Sequence, residues 1–550
     1  MIEMNPLKNK NTNSVRVLII LAAILLLQCL MLVYWQGQRG NFCVDELYSF
    51  GYASSFTSNS SHYITDSPEW IFDEWMDSDE LTGQLRVDKS ERLNSLPLTA
   101  QIHLFLQKRA YFGMMNLIMS ASGYGSTFYQ YAWRILILNL LLFLIAELLL
   151  AYCVRKITGN EEVMILSVLM FGSCAVIMGI AGYVRFYILA IALLLAVLCT
   201  HLKLWDEDNL RLCLAWEVTG FVCAYYGLIH SEFMFVTCGV FFCLYFTALL
   251  CRKRWRQAVI YAAPLLFGLF YFVNRRTRLL RAFLHPDQFA EPTSGLPGAT
   301  YKYLTWTPER GRETLKDIFF VFRDKWFGSD VILAAFMILL IIGAIYLIAE
   351  RRIQTDNKTQ NNGYSGFIVI VFITALTSLV FNDLADFKAD RYQSFIITLL
   401  IIVLWACIGA VSNSKKGKYF LITAAILTIA CAVVSQEPEK LPFLYIDENP
   451  VKAALEYYTH DDYVLFTYKG DRHATYDCVS HAGKNTRLFV NDPEKEASLK
   501  NVRDIPDEFV AWGARAADPE RMQQALDEIG YNYELIGSTH ENDIYICTEK

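Results

Sequence analysis

Long apolar runs constrain this chain more than any other feature of its sequence. A helix needs about 20 mostly apolar residues to cross a bilayer, and runs of roughly that length recur along the chain. They lie at residues 15–35, 133–153, 161–179, 185–204, 213–229, 233–250, 257–273, 330–349, 366–382, 393–411 and 419–435. We therefore predict a polytopic α-helical membrane protein with about eleven spans.

The composition agrees with this prediction. It argues against a nucleic-acid-binding protein and against a scaffold held together by disulfides. Apolar residues make up 54% of the 550 residues and charged residues only 19%. The 49 basic and 55 acidic side chains give a net charge of −6, which excludes a basic surface for nucleic acid. Most of the 14 cysteines lie inside apolar runs and act there as small apolar side chains. Cys478 and Cys547 lie in a polar segment, where a disulfide is allowed if that segment is outside the cytoplasm.

The orientation follows from the positive charges between the runs. Residues 1–14 form a polar cytoplasmic tail, and the first run is too long for a signal peptide and lacks a cleavage site, which predicts a retained anchor. With this orientation the inside loops carry 14 Lys and Arg residues, whereas the short outside turns at 180–184 and 230–232 carry none. An odd number of spans then leaves the C-terminal segment outside the cytoplasm.

Three outside segments are long enough to have structure of their own. Residues 36–132 form a large first outer loop, with an amphipathic stretch at 97–118 that is typical of a helix lying on the membrane. Residues 274–329 form a second large outer loop. From residue 436 to 550, short β-rich runs alternate with helical stretches, which predicts a small extracytoplasmic α/β domain.

Ionisable side chains collect where the predicted spans meet the outer face. A charge at this boundary is costly unless it is solvated, paired or used, so such a group is a functional-site hypothesis. Asp45 and Glu46 follow the first span. The others are Arg134, Arg185, His230, Glu232, Asp383, Asp386, Asp390 and Arg391, with Arg275, Arg276, Arg278 and Arg281 in the second large loop.

Position alone leaves a structural interpretation open for each of these side chains. The acidic pair could be solvated charges at a helix end, and the two arginines at span starts could be anchors that reach lipid headgroups. Inside the second span, the position of Glu147 favours a hydrogen bond between helices over a catalytic role. His62, His103 and His285 lack the spacing of metal ligands, so the sequence gives no support for a metal site.

The order and sidedness of these residues resemble the GT-C superfamily of membrane glycosyltransferases, in particular its bacterial branch similar to protein O-mannosyltransferases and lipid A aminoarabinose transferases. The resemblance covers residues 15–435. It rests on the acidic pair, the large first loop, an Arg at the second span, an Arg-x-Tyr at the fourth and an Arg-Tyr at a late span. Before the predicted interfacial helix only Pro97 and Leu98 match, where the family usually has a basic residue followed by Pro-Pro-Leu.

The resemblance implies a role for each matched residue. Asp45 corresponds to the catalytic carboxylate of the family. Tyr225, Tyr226 and His230 correspond to a turn between the fifth and sixth spans, and Glu46 and Glu232 take supporting roles. Contacts to the donor phosphate are implied for Arg134, Arg185, Tyr187, Arg391 and Tyr392, with Arg275, Arg276 or Arg278 in place of the missing basic residue.

The implied reaction transfers a sugar from a polyprenyl-phosphate carrier to a hydroxyl of a glycan, lipid or protein acceptor. A site that faces outward cannot use cytosolic nucleotide sugars, so the donor arrives on a lipid. Arginine stabilises the phosphate leaving group, and one carboxylate accepts the acceptor proton in a single displacement with inversion.

The expected location is the plasma membrane, with many spans and a cytoplasmic N terminus. No cofactor is certain from the residues, and dependence on a divalent cation stays open. Two other functions also stay open at this point: a lipid-linked sugar flippase or transporter, and a non-enzymatic protein of envelope assembly. A transporter is disfavoured by the scarcity of charges within the spans and by the absence of a repeat in the sequence.

Overall fold

The computed structural model describes most of the chain. The described residues are 6–54, 72–77, 110–121, 128–275, 307–354, 364–384, 390–412, 417–458, 462–466, 472–482, 486–492, 499–500, 502, 504–515 and 519–550.

Each of the apolar runs forms a helix. The longer helices up to residue 434 are α1 (Pro6–Gly37), α2 (Val44–Ser54), α3 (Ala110–Ala121), α4 (Phe128–Thr158), α5 (Glu161–Ser173), α6 (Ala175–Gly182), α7 (Tyr187–Asp206), α8 (Leu210–His230), α9 (Glu232–Cys251), α10 (Trp255–Arg275), α11 (Pro308–Phe320), α12 (Asp330–Gln354), α13 (Ser365–Leu384), α14 (Asp390–Ser412) and α15 (Gly417–Val434). A π-helical segment, Val321–Phe327, continues α11. Of the amphipathic stretch predicted near the membrane, only the part from residue 110 lies among the described residues, and it begins α3.

Seven of the described helices are long and apolar enough to cross a membrane, and the bent pair α5 and α6 raises the number to as many as eight. The seven are α1, α4, α7, α9, α13, α14 and α15. The prediction of a polytopic helical membrane protein is therefore confirmed. A membrane crossing by α8, α10 and α12 stays a prediction.

The third predicted span is broken at Cys174, where α5 and α6 meet at an angle of 59°. A break inside a membrane leaves backbone carbonyl groups that need other donors. The side chain of Gln28 donates to the carbonyls of Val168 and Leu169 at 3.1 and 3.3 Å, and Gln436 donates to the carbonyl of Ser173 at 2.9 Å. Glutamines from distant parts of the chain thus stabilise the bend.

In the part of the chain that the structure describes, Glu147 has no hydrogen bond to another helix, although its position favours one. Its side chain is fully buried, and neither carboxyl oxygen has a hydrogen-bond partner among the described residues. It lies beside Gln28 over Gly172, where a Cβ atom would overlap both side chains. The missing side chain at Gly172 therefore provides the space that Glu147 fills.

The chain divides into two compact units. The first comprises Met1–Met31, Leu140–Ala181 and Phe186–Pro442, and the second comprises Leu32–Asn139, Gly182–Arg185 and Phe443–Lys550. In the first unit, α14 is buried along most of its length and packs against α5, α7, α12, α13 and α15. Such a helix is apolar on all sides, as its Ile- and Leu-rich sequence requires.

The second unit contains a six-stranded mixed sheet. Its strands are β1 (Trp75–Asp77), β2 (Asp462–Phe466), β3 (Arg487–Val490), β4 (Glu508–Ala514), β5 (Tyr531–Ser538) and β6 (Asn542–Glu549), in the order β1-β3-β2-β4-β6-β5. Strand β2 pairs in parallel with β3 and β4, and the other pairs are antiparallel. Helices α16 (Asn449–Tyr458), α17 (Arg472–His481) and α18 (Pro519–Glu528) accompany the sheet.

This sheet confirms the small α/β domain predicted at the C terminus and adds to it. Its edge strand β1 comes from the segment between α2 and α3, more than 400 residues before its partner β3. Strand β4 is buried on both faces from Phe509 to Ala514, which is typical of a central strand. Cys478 and Cys547 are separate buried thiols, so the disulfide that the sequence allowed is not formed.

Candidate active site

Asp45 and Arg185 form an ion pair in the second unit. Asp45 lies in the first turn of α2, where the helix dipole stabilises a carboxylate. Its Oδ1 accepts a hydrogen bond from Arg185 Nη2 at 3.1 Å, and its Oδ2 accepts one from the Tyr183 hydroxyl at 3.3 Å. Arg185 Nη1 donates to Ser49 Oγ at 3.2 Å, and that hydroxyl donates to the Asp45 carbonyl at 2.9 Å. Two of the predicted site residues are thus brought together.

Both partners of this ion pair are partly accessible. The side chain of Asp45 is 23% exposed and that of Arg185 is 15% exposed. A pair at this depth is screened less than a surface pair, yet its charged atoms can still meet a ligand. The pair therefore offers a carboxylate acceptor and a guanidinium donor side by side.

Glu46 forms a different ion pair, with Arg39, that is inaccessible. Both side chains are 0% exposed, and Arg39 Nη1 lies 3.0 and 2.9 Å from the two Glu46 oxygens. Glu46 also accepts from the backbone N–H of Cys43 at 3.1 Å and of Val184 at 2.8 Å. Burial raises the pKa of Glu46, and the charge and hydrogen bond of Arg39 oppose that rise.

The buried pair connects the two segments that carry the accessible pair. Glu46 follows Asp45 in α2, and its bond to Val184 holds the residue before Arg185. Arg39 Nη2 donates to the carbonyl of Gly182 at 2.7 Å, at the other end of the same short segment. Glu46 is therefore buried and bound to the backbone next to both residues of the accessible pair, and its supporting role stays a prediction.

Arg134 does not join this pair. Its guanidinium lies 5.5 Å from the ring centre of Tyr131 in a cation–π contact, and its Nη1 is buried with no hydrogen-bond partner among the described residues. Its role as a phosphate contact stays a prediction.

In the first unit, the structure brings Tyr187, Arg391 and Tyr392 together. The rings of Tyr187 and Tyr392 meet edge to face at 6.0 Å, and Arg391 lies over the Tyr392 ring at 5.2 Å. Phe395 packs against Tyr187 at 6.5 Å. The Arg-x-Tyr and Arg-Tyr sequences thus supply neighbouring side chains at the starts of α7 and α14.

Several other predicted residues cannot be placed. His230 ends α8, Glu232 begins α9 and Arg275 ends α10, but their side chains lie outside the described residues. Arg276 and Arg278 lie outside them entirely.

One cluster of potential metal ligands occurs in the described part of the chain. Glu448, Asp477 and His540 have ligand atoms within 4.8 Å of one another, and two carboxylates with an imidazole suit a divalent cation such as Zn²⁺ or Mn²⁺. Hydrogen bonds already occupy the carboxylate oxygens, however, with donors from Asn41, Thr539, Asn542 and His540. The residues fit a hydrogen-bonded network at least as well as a metal site.

No family model and no curated protein matches this chain. Among solved structures, ArnT from Cupriavidus metallidurans bound to undecaprenyl phosphate is similar, with a TM-score of 0.50 and 11% identity over 96% of this chain and 97% of that one. The chain shares the fold of this ArnT. The apo form of the same ArnT gives a TM-score of 0.50 and 11% identity over 97% and 98% of the two chains.

An oligosaccharyltransferase from Archaeoglobus fulgidus has a weaker likeness, with a TM-score of 0.43 and 8% identity over 86% of this chain and 65% of that one. The likeness to ArnT confirms the fold that the sequence resemblance implied.

The sequence did not indicate several residues that contact Asp45, Glu46 or the segment just before them. Arg39 lies in the polar stretch QGQRGNF directly after the first span, and its full burial has no signal in the sequence. Asn41, Asp477 and Glu448 come from parts of the chain far apart, so only the fold brings them together. Tyr183, two residues before Arg185, could have been found as a hydroxyl within the GYVRFY motif.

Proposed function

We propose that this protein is a membrane glycosyltransferase that moves a sugar from a polyprenyl-phosphate carrier to an acceptor hydroxyl outside the cytoplasm. The observation that carries the proposal is the partly exposed ion pair of Asp45 and Arg185, directly after the first span. The binding of undecaprenyl phosphate by the structurally similar ArnT supports a carrier of this class.

In the proposed reaction, the acceptor oxygen attacks the anomeric carbon as the bond from that carbon to the phosphate oxygen breaks. Asp45 accepts the acceptor proton, and polyprenyl phosphate leaves with the bonding electrons. A single displacement of this kind inverts the anomeric configuration. A positioned general base typically contributes 10²–10⁴-fold to such a step.

Arg185 has the shape that the leaving group requires. A guanidinium binds phosphate oxygens through a planar pair of N–H donors, and it stabilises the negative charge that grows as the sugar departs. Arg185 donates hydrogen bonds to Asp45 and Ser49. A donor phosphate would share this guanidinium and loosen its hold on Asp45, which leaves that carboxylate to the acceptor.

The other matched residues enter the proposal in less specific roles. Tyr187, Arg391 and Tyr392 are proposed to contact the donor, and the same role is proposed for Arg134, Arg275, Arg276 and Arg278. His230 and Glu232 are proposed as supporting residues. The proposed location is the plasma membrane, with the N terminus in the cytoplasm and the C-terminal domain outside it. A reporter fused after Lys550 tests this orientation.

The direct test supplies the purified protein with polyprenyl-phosphate sugars and measures release of polyprenyl phosphate. Asp45→Asn keeps the size of the side chain and should lower the rate by about 10³-fold, because the amide cannot accept the proton. Asp208→Asn is the matched control, since Asp208 is 87% exposed and pairs with Arg254 within the first unit. Full activity in Asp45→Asn would remove this residue as the base.

The same assay separates the proposed function from the two that the sequence left open. A flippase would move the lipid-linked sugar across a vesicle membrane without releasing polyprenyl phosphate. An assembly protein would do neither. A chelator added to the assay tests dependence on a divalent cation.

A further inference from the structure

The segment between α1 and α2 is bound by residues from the C-terminal part of the second unit. The N–H of Gly40 donates to the carbonyl of Leu444 at 3.0 Å, and Lys452 Nζ donates to the carbonyl of Arg39 at 3.3 Å. A Cβ atom on Gly40 would overlap the carbonyl of Tyr445, so this close approach requires glycine. The backbone just before α2 is therefore held from outside its own helix.

Asn41 is the most constrained residue of this segment. Its Nδ2 donates to Glu448 Oε2 at 2.7 Å and to Asp477 Oδ1, and its Oδ1 accepts from the Phe42 N–H and the Ser480 hydroxyl, both at 2.8 Å. Asn41 is 0% exposed, and the two carboxylates are 3% and 2% exposed. Both sides of the amide are in use, so its orientation is fixed.

Further donors hold the two carboxylates from the other side. Asp477 Oδ2 accepts from the Thr539 hydroxyl and from Asn542 Nδ2 at 2.7 Å. Glu448 Oε1 accepts from the backbone N–H and Nδ1 of His540 at 2.7 and 2.9 Å. A buried network that is satisfied at this many positions is rigid, and removal of one member leaves its partners unpaired.

Asp45 lies between two anchors. Asn41 is fixed four residues before it, and Glu46 is fixed directly after it by the buried pair with Arg39. The carboxylate of Asp45 can therefore move little unless one anchor is released. A misplacement of about 1 Å in a reacting group can cost 10²-fold in rate.

We propose that Asp477 and Glu448 are positioning residues, which hold Asn41 and thereby fix Asp45 for the acceptor. This inference rests on the proposed function. It makes the C-terminal part of the second unit a support of the reacting carboxylate, so that part of the chain acts through Asn41 without touching donor or acceptor.

The test compares Asp477→Asn with Asp462→Asn in the full-length protein. Both changes replace Asp by Asn in the same unit, but Asp462 lies in β2 and pairs with Arg487 of β3 at 2.6 Å. We expect Asp477→Asn to lower kcat by roughly 10–100-fold while the KM for the lipid donor changes less than about 3-fold, because Arg185 is retained. Asp462→Asn should keep both constants within about 2-fold.

A second readout does not need turnover. Hydrogen–deuterium exchange of the peptide covering residues 39–49 should rise in Asp477→Asn and stay as in the wild type in Asp462→Asn. If Asp477→Asn does not fold, Thr539→Val removes one donor to Asp477 and should change kcat and exchange in the same direction by a smaller factor.

Unchanged exchange together with unchanged kcat in Asp477→Asn would overturn the inference. An equal loss of kcat in Asp462→Asn would also overturn it, since the effect would then be general destabilisation. A third result would overturn it as well: a chelator abolishes the activity, Mn²⁺ restores it, and Asp477→Asn needs more Mn²⁺ than the wild type. The cluster of Glu448, Asp477 and His540 would then be a metal site. If the wild type releases no polyprenyl phosphate, the proposed function fails, and the exchange result still tests the positioning.

Discussion

Asp45 and Glu46 are neighbours in the sequence, both acidic and both paired with arginine, yet their surroundings differ completely. The pair of Glu46 and Arg39 is 0% exposed on both sides, whereas the pair of Asp45 and Arg185 keeps 23% and 15% of its side-chain surface. In the first turn of a helix, adjacent residues point in directions about 100° apart. Glu46 can therefore be buried while Asp45, next to it in the sequence, stays accessible to a ligand.

This difference separates a structural role from a chemical one. A buried ion pair is costly to break because the remaining charge has no water around it. A partly exposed pair can exchange one partner for a ligand at much lower cost. Burial, and not residue type or sequence position, indicates which member of the acidic pair is available for chemistry.

Among the variants of these two pairs, Glu46→Gln should have the largest effect on stability. It leaves the Arg39 guanidinium buried without a counter-charge, and we expect a loss of about 3–5 kcal/mol in the free energy of unfolding. Thermal unfolding in detergent measures this loss. Asp45→Asn should shift Tm far less, because that site is partly solvated. Similar Tm shifts in the two variants would contradict the assigned roles.

A double variant that removes both charges of the buried pair tests whether the unpaired charge causes the loss of stability. Replacement of a buried ion pair by apolar residues of similar volume is often neutral or stabilising. We therefore expect the double variant Arg39→Met with Glu46→Leu to regain much of the stability lost in Glu46→Gln, less the cost of the hydrogen bonds to Cys43, Val184 and Gly182. A double variant less stable than the single one would show that those backbone bonds dominate.

Arg185→Lys probes the accessible pair. Lysine keeps the positive charge but lacks the planar pair of donors that suits phosphate. We expect the activity with a polyprenyl-phosphate sugar to fall by roughly 10–100-fold, with Tm changed little. Arg155→Lys is a suitable control, since Arg155 is 58% exposed and pairs with Glu161. Wild-type activity in Arg185→Lys would argue against a bidentate phosphate contact.

The smallest expected effect concerns pH and two histidines of the second unit. Burial lowers the pKa of His540, but its hydrogen bond to Glu448 and the nearby carboxylates outweigh burial and raise the pKa overall. The stability that protonated His540 adds is fully present below its unfolded pKa of about 6.5. It is lost as the pH rises through the folded pKa.

His481 titrates in the opposite sense. Burial lowers its pKa to about 4, so the stability linked to neutral His481 is lost as the pH falls from about 6.5 towards 4. The two effects can be separated with His540→Gln, which removes the group whose deprotonation lowers stability at alkaline pH. We expect this variant to lose part of the fall in Tm on the alkaline side, a few degrees at most, and to leave the acid side, where His481 titrates, unchanged. Identical pH profiles of Tm for His540→Gln and the wild type would contradict the pairing with Glu448.

The helices could be predicted from the sequence because burial in lipid requires long apolar runs. Every predicted run contains a helix, and the boundaries agree within several residues. The break between α5 and α6 was not predicted, because Ser173 and Cys174 look like ordinary residues of an apolar helix. The donors that make the break tolerable, Gln28 and Gln436, come from other parts of the chain.

The sequence indicates the charged residues of the candidate site, but not the buried residues that pack beside them. Asp45 and Arg185 stand out because charges at a membrane boundary are rare. Arg39 and Asn41 are polar residues in a polar segment, and nothing in one sequence shows that they are buried. Glu147 shows the converse case, since its position in a span suggested a hydrogen bond that the described structure does not contain.

The pairing of Trp75–Asp77 with β3 sets an order for biosynthesis. The residues of β1 and their partners in β3 are more than 400 positions apart in the sequence. At 5–20 residues per second, a ribosome needs roughly 20–80 s to make the chain between them. The first loop thus emerges long before the strand that receives it. The same delay applies to Asn41, whose anchors are made among the last hundred or so residues. A nascent chain therefore has the arginines that pair with Glu46 and Asp45 long before it has the carboxylates that bind Asn41.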